Sequence, residues 1–157
     1  VALNPETISN HIDRLKYDGF VICDREISFE DKSILSLPLK KIAKESAKQS
    51  KRNIIPKIDN ILSFNEAIEK LKYNDIEIIV PYEEEEEKTL KEIFDNSKKE
   101  YAIFIGPEGG FEESEIEILK SIGAKIITLG PRILRTETAG VVTVAVILHE
   151  AKELGGV

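Results

Sequence analysis

From residue 61 onward the apolar positions switch repeatedly between two periods. Phe64, Ala67, Ile68 and Leu71 recur at helical spacing and predict a helix over residues 64–72. Residues 76–80 are a short β-branched run, read as a buried strand that Pro81 stops. Leu90, Ile93 and Phe94 return to the helical period over residues 89–96, and residues 101–105 form a second apolar run. An acid-started helix follows over 112–122, with Ile116, Leu119 and Ile122 inward and Gly123 as its stop. Residues 125–129 make a third strand, and a last helix over 137–154 packs through Val141, Val144, Ala145 and Leu148. Strands separated by helices of this length predict an α/β fold with a parallel sheet. Ligands of such sheets bind at the carboxyl ends of the strands. Both Gly-Pro pairs, Gly106-Pro107 and Gly130-Pro131, leave from that end.

Before residue 61 the pattern is different. Residues 39–53 read as a helix with Ile42, Ala43 and Ala47 inward. Lys40, Lys44, Lys48 and Lys51 then form a basic stripe, with Lys41, Arg52 and Lys57 nearby. Residues 1–38 carry turn signals at Asn4-Pro5 and Asp18-Gly19 and short apolar runs at 20–23 and 34–37. They read as a small strand-rich unit, too short to hold a core of its own.

The 157 residues suffice for one full domain and part of a second. Composition is that of an ordinary globular chain, 41% hydrophobic and 32% charged. A net charge of -7 argues against a broadly basic nucleic-acid surface, but Glu83 to Glu87 concentrate five acids in one solvated run. The stripe around Lys44 concentrates the opposite sign. A single cysteine, Cys23, excludes an internal disulfide framework and points to a reducing cytoplasm. His11, His149 and Cys23 lie too far apart for any zinc spacing, so no metal is expected. No apolar run approaches the roughly 20 residues that span a bilayer, so no membrane partner is expected. No methionine occurs, so the numbering includes no initiator.

Two loops carry candidate chemistry. In Gly106-Pro107-Glu108-Gly109-Gly110 the glycines let backbone approach a ligand closely. A phosphate loop is excluded by the missing Gly-Lys-Ser/Thr ending and by Glu108, Glu112 and Glu113; a dinucleotide fingerprint is excluded by the glycine spacing. A ligand with amino and hydroxyl groups, or an adenine held by backbone atoms, fits better, although a plain strand–helix turn has the same composition. The second loop, Leu129-Gly130-Pro131-Arg132-Ile133-Leu134-Arg135, runs into Thr136-Glu137-Thr138-Ala139. Thr136 is the expected N-cap of the last helix. Ile133 and Leu134 are apolar enough to pack on core or on a flat ligand ring, and the arginines suit a phosphodiester or carboxylate.

This pair of motifs resembles the signature of the RsmE family, enzymes that methylate uridine N3 in small-subunit ribosomal RNA. The similarity runs from about Ile42 to Leu148 and includes the stretch from Ala43 to Arg52, Pro56, and Tyr82-Glu83. The resemblance implies a SPOUT (alpha/beta knot) domain over residues 39–157, its parallel sheet closed by a C-terminal trefoil knot, a rare exception to unknotted topology. It implies S-adenosylmethionine held by Tyr82, by Ile105 and Gly106 to Gly110 with Pro107, Glu108 and Gly109 between them, and by Leu129, Gly130, Ile133, Leu134, Thr136 and Ala139. It also implies a homodimer, ribosomal RNA as partner, and a remnant of an N-terminal PUA-like β-barrel over residues 1–38. The remainder of that barrel and the first strand–helix unit of a knotted domain are not found, as when the chain is truncated or, the favoured reading, when internal stretches of a longer chain are missing from the numbering.

The chemistry of methyl transfer to uridine N3, whose proton must leave, suggests candidate roles. Arg135 would stabilise the uridine N3 anion, Arg132 would contact RNA, and Glu137 would orient an arginine or take the proton. Lys44, Lys48, Lys51 and Arg52 become an RNA track. Alternatives are methylation of another RNA position, such as a ribose 2′-hydroxyl, and an inactive RNA-binding module of the same fold.

Overall fold

The computed structural model of the protein describes residues 32–59, 62–71, 75–98 and 100–154. It divides into two compact units at Ala67 and Ile68. The expected barrel remnant lies outside the described residues as far as Asp31.

In the first unit, helix α1 (Lys32–Gln49) buries Ala43, Ser46 and Ala47 and exposes Lys40, Lys41, Lys44 and Lys48. The run at 34–37, expected as a strand, belongs to this helix. A four-residue apolar run fits either structure. In the sequence, residue 35 stands four positions before Leu39, which precedes Ala43 and Ala47 at the same interval, a helical spacing. Lys51 closes the helix at φ 55, with Arg52 N–H donating to Ala47 O at 2.9 Å.

Helix α2 (Phe64–Leu71) spans the boundary between the units. It opens on a reciprocal cap: Ser63 N–H donates to Glu66 Oε2 at 2.7 Å and Glu66 N–H to Ser63 Oγ at 3.3 Å. Its buried face is Ala67, Ile68 and Leu71.

The second unit holds a three-stranded parallel sheet in the order β2-β1-β3. Its strands are β1 (Glu77–Pro81), β2 (Tyr101–Ile103) and β3 (Lys125–Ile127). Ile79 of β1 pairs with Ile103 on one side and Lys125 on the other. Between β1 and β2 lies α3 (Leu90–Ile93), between β2 and β3 lies α4 (Glu113–Ser121), and α5 (Thr136–Glu150) follows β3. This is the α/β parallel arrangement that the periodicity predicts. Ile79, Leu90, Ile127 and Ile147 form the core cluster, with Leu129, Ile93 and Val146 packed on it.

Helix α3 is a single turn rather than the helix expected over 89–96. Phe94 leaves helical geometry (φ -64, ψ 126) and its ring stacks on Tyr101 at 5.6 Å. Stacking there outweighs one more turn of an already marginal helix.

The amino-terminal edge of the sheet carries an ion pair between a buried carboxylate and a half-buried ammonium. Glu77, whose side chain is 5% exposed, pairs with Lys125, and Lys125 Nζ also donates to Ile93 O at 2.7 Å. One ammonium thereby joins the starts of β1 and β3 to the end of α3. Lys125→Met should lower unfolding stability by about 3 kcal/mol, because it leaves a buried carboxylate unpaired. The double variant with Glu77→Met should recover most of that loss, as read from denaturant midpoints.

Candidate functional site

Parallel pairing sends all three strands out at the same edge, so their exit loops meet there. Pairing of β1 with β3 continues one residue further, with Tyr82 N–H donating to Ile127 O at 3.0 Å. The β1 loop then returns to the exit of β3, where Thr128 N–H donates to Lys88 O at 2.8 Å and Thr89 bridges Thr128. Thr89 N–H and its hydroxyl both donate to Glu92, at 2.9 and 2.8 Å, which caps α3 beside this closure.

The glycine loop after β2 folds into a turn, with Gly110 N–H donating to Pro107 O at 2.9 Å. Gly110 has φ +75, and a side chain there would meet Glu83 Oε1 at 2.8 Å. The β1 and β2 loops are therefore in direct contact. A side chain at Gly106 would strike the Phe111 ring at 3.1 Å, whereas one at Gly109 would meet nothing within 4 Å. One side of the loop is packed and the other is open. The first turns of α5 approach the same edge, since a side chain at Gly140 would touch Ile105 at 3.8 Å.

Acids dominate the first two loops. Tyr82 donates to Glu84 Oε2 at 2.9 Å. That hydrogen bond, then desolvation and the charges of Glu84, Glu113 and Glu83, raise its phenol above the ordinary value of 10.0. Glu108, Glu112 and Glu113, on or just after the glycine loop, are exposed. The third loop has the opposite sign. Arg132 and Arg135 are exposed, and neither guanidinium has an ion-pair or hydrogen-bond partner among the described residues.

Three expectations change in detail. Thr136 is the first helical residue and not the N-cap; that position is held by Arg135 in an extended conformation, with no side-chain cap. The first N–H groups of α5 are thus open to other acceptors. Glu137 is half-buried but makes no ion pair with either arginine. Leu134 is half-buried and Leu129 packs on the core cluster, whereas Ile133 is 84% exposed and covered by nothing described.

The structure thus gathers Tyr82, Glu83, Ile105 to Gly110 and the start of α5 at one edge. The basic stripe belongs to the other unit. Lys44 and Lys51 are exposed there, Lys48 pairs with Glu45 at 3.1 Å, and Arg52 is half-buried. The Glu83–Gly110 contact and the Thr89–Thr128 bridge were not legible in the sequence, because both join residues more than twenty positions apart through tertiary packing that no local pattern encodes. No group of three or more His, Cys, Asp or Glu suited to a metal occurs among the described residues. No described helix is long and apolar enough to cross a membrane.

Residues 19–148 match the RNA methyltransferase domain family. Ribosomal RNA small subunit methyltransferase E of Bacillus subtilis is 36% identical over 122 residues, covering 74% of this chain and 47% of that protein. The protein of the same name from Mesomycoplasma hyopneumoniae is 41% identical over 100 residues, 64% of this chain and 42% of its own length. A crystal structure of ribosomal RNA small subunit methyltransferase E from Neisseria gonorrhoeae, bound to S-adenosyl methionine, superposes with a TM-score of 0.70 at 27% identity. That match covers 80% of this chain and 52% of the other. The chain spans about half the length of the curated relatives it matches.

Two outcomes follow from the loop geometry. Gly110→Ala should cost about 1–2 kcal/mol through its left-handed backbone and its clash with Glu83. Adding Glu83→Ala should restore only the part due to the clash, and Gly109→Ala should leave the melting temperature nearly unchanged. Glu92 is held below its ordinary 4.5, first by the Thr89 N–H and then by its hydroxyl. A depressed carboxylate stabilises above its unfolded pKa and loses that contribution as pH falls through the folded one. Amide protection at residues 88–92, taken relative to the intrinsic exchange rate at each pH, should therefore fall below pH 4.5, and Glu92→Gln should reduce this acid dependence.

Proposed function

The chain belongs to the RNA methyltransferase domain family, and from that membership we propose that it transfers a methyl group from S-adenosylmethionine to N3 of a uridine in small-subunit ribosomal RNA. The observation that carries this reading is the juxtaposition at one sheet edge. A glycine loop open at Gly109 lies beside a helix whose first N–H groups have no side-chain cap, and two unpaired arginines flank that helix start.

The residues suit the cofactor's chemistry. S-adenosylmethionine has no phosphate, so the acids around Glu108 do not oppose it, and its cationic sulfonium and ammonium groups are compatible with them. Tyr82, Ile105, Gly106, Pro107, Glu108, Gly109 and Gly110 would hold it from the first two loops. Gly130, Leu134, Thr136 and Ala139 would hold it from the third, with Leu129 bracing that loop from the core; Ile133, included in this set by the resemblance, is left out of it here because it is 84% exposed. Bound there, the cofactor supplies an electrophilic methyl group, taken by in-line displacement. Arg135 stabilises the uridine anion formed when N3 loses its proton. Glu137, half-buried and unpaired, is placed to take that proton or to orient Arg135 once RNA is bound. Arg132 contacts RNA, and the stripe of Lys44, Lys48, Lys51 and Arg52 offers a phosphate track on a chain of net charge -7.

The wider architecture proposed is a knotted SPOUT domain over residues 39–157, a barrel remnant over 1–38, and a homodimer working in the cytoplasm. Support for the dimer comes from α5. It is apolar on every side, yet only Thr143 and Ile147 are buried, while Val141, Val142, Val144, Ala145 and Leu148 stay partly exposed. A helix apolar all round calls for cover on all sides, and a second copy provides it.

Labelled S-adenosylmethionine incubated with the protein and small-subunit ribosomal RNA should give N3-methyluridine on nucleoside mass analysis. Arg135→Ala should lower kcat on the order of 10²-fold with cofactor affinity nearly unchanged. The rate should rise with pH as N3 ionises. Label in ribose, or none in RNA that binds normally, would contradict the assignment.

A further inference from the structure

Ile133 is the most exposed of the large apolar side chains among the described residues, at 84% against 56% for Ile54. It sits within a run in which Gly130, Pro131, Arg132 and Ile133 are all exposed. The run is anchored at its base, where Gly130 takes φ +101 and its N–H donates to Thr128 Oγ1 at 3.1 Å. At its far end Arg135 O accepts from Ala139 N–H at 2.8 Å, fixing the start of α5. Ile133 therefore projects from a short loop held at both ends.

Its neighbours indicate what it meets. Arg132 and Arg135 have no carboxylate partner among the described residues, although the chain holds 29 acids against 22 Lys and Arg. Two unpaired guanidiniums flanking an exposed apolar side chain complement a polyanion that also presents flat apolar faces, which is the chemistry of a nucleic-acid strand.

Uridine N3 lies on the pairing edge of the base, so a base stacked or paired in RNA must leave the stack before it can be methylated. Proteins that unstack bases insert apolar side chains at the step and grip the flanking phosphates with basic ones. Resting on the proposed methyl transfer to RNA, we infer that Ile133 is the wedge that occupies the space vacated by the target uridine, with Arg132 and Arg135 seated on the adjoining strand. Leu134, half-buried beside it, keeps its proposed place in the cofactor wall.

The test compares two RNAs and three proteins. Wild type, Ile133→Ala and Ile133→Leu are assayed for methyl transfer to the small-subunit ribosomal RNA transcript. They are then assayed on a short single-stranded fragment containing the uridine that wild type methylates. Ile133→Ala should lose at least tenfold in kcat/KM on the structured transcript and less than threefold on the fragment, where no stack has to be opened. Ile133→Leu should stay near wild type on both, and S-adenosylmethionine affinity should change less than twofold throughout. Equal losses on the two RNAs would overturn the wedge. So would a fivefold loss of cofactor affinity, which would return Ile133 to the cofactor wall, or a shift in oligomeric state, which would give it to a second copy. Wild-type protein that binds S-adenosylmethionine but methylates neither RNA would instead refute the proposed function.

Discussion

Everything at the candidate site depends on the parallel pairing of β1 with both its neighbours. Antiparallel neighbours would place alternate loops at opposite edges of the sheet. With β1 central and both partners parallel, the loops after all three strands leave from one edge. Each strand is short, three to five residues, so small interactions fix the loop positions. The Lys125–Glu77 pair secures the strand starts, and the Tyr82–Ile127 and Thr128–Lys88 hydrogen bonds secure the exits. Between these ends, Ile79 and Val80 of β1 and Ile127 of β3 are buried almost completely. The result is a stiff base carrying loops that are open at Gly109 and along residues 130–133.

The charge distribution divides the work in the same manner. Acids gather on the β1 and β2 loops, around Tyr82, while the β3 loop carries two unpaired arginines. Acidic loops and an arginine-bearing loop thus stand at one edge of the sheet, suited to groups of opposite sign. The net charge of -7 conceals that separation. Local sign, rather than total charge, decides what can approach.

The parallel α/β architecture was legible in the sequence because short apolar, β-branched runs alternate with segments of helical length, two of which, α2 and α4, carry apolar residues at helical spacing. The boundaries were less legible. Phe94 abandons a helix in order to stack on Tyr101, a contact with a residue seven positions away that local propensity does not encode. The run at 34–37 fits strand or helix equally, and its place in a longer stripe decides. At the site, both loops were visible from their glycines, but the contact that joins them, Glu83 on Gly110, is purely tertiary. Thr136 looked like a helix cap by residue type, yet the backbone of Arg135 takes that position. Ile133 looked like a packed residue because it is apolar, and only the structure places it in solvent.

The most direct measurement is calorimetric titration of the protein with S-adenosylmethionine and with its demethylated product. Saturable binding of both, at one site per chain and abolished by Gly109→Gln in protein of unchanged melting temperature, is the predicted result. Absence of binding to folded wild-type protein, or binding indifferent to Gly109→Gln, would contradict the placement of the cofactor on the glycine loop.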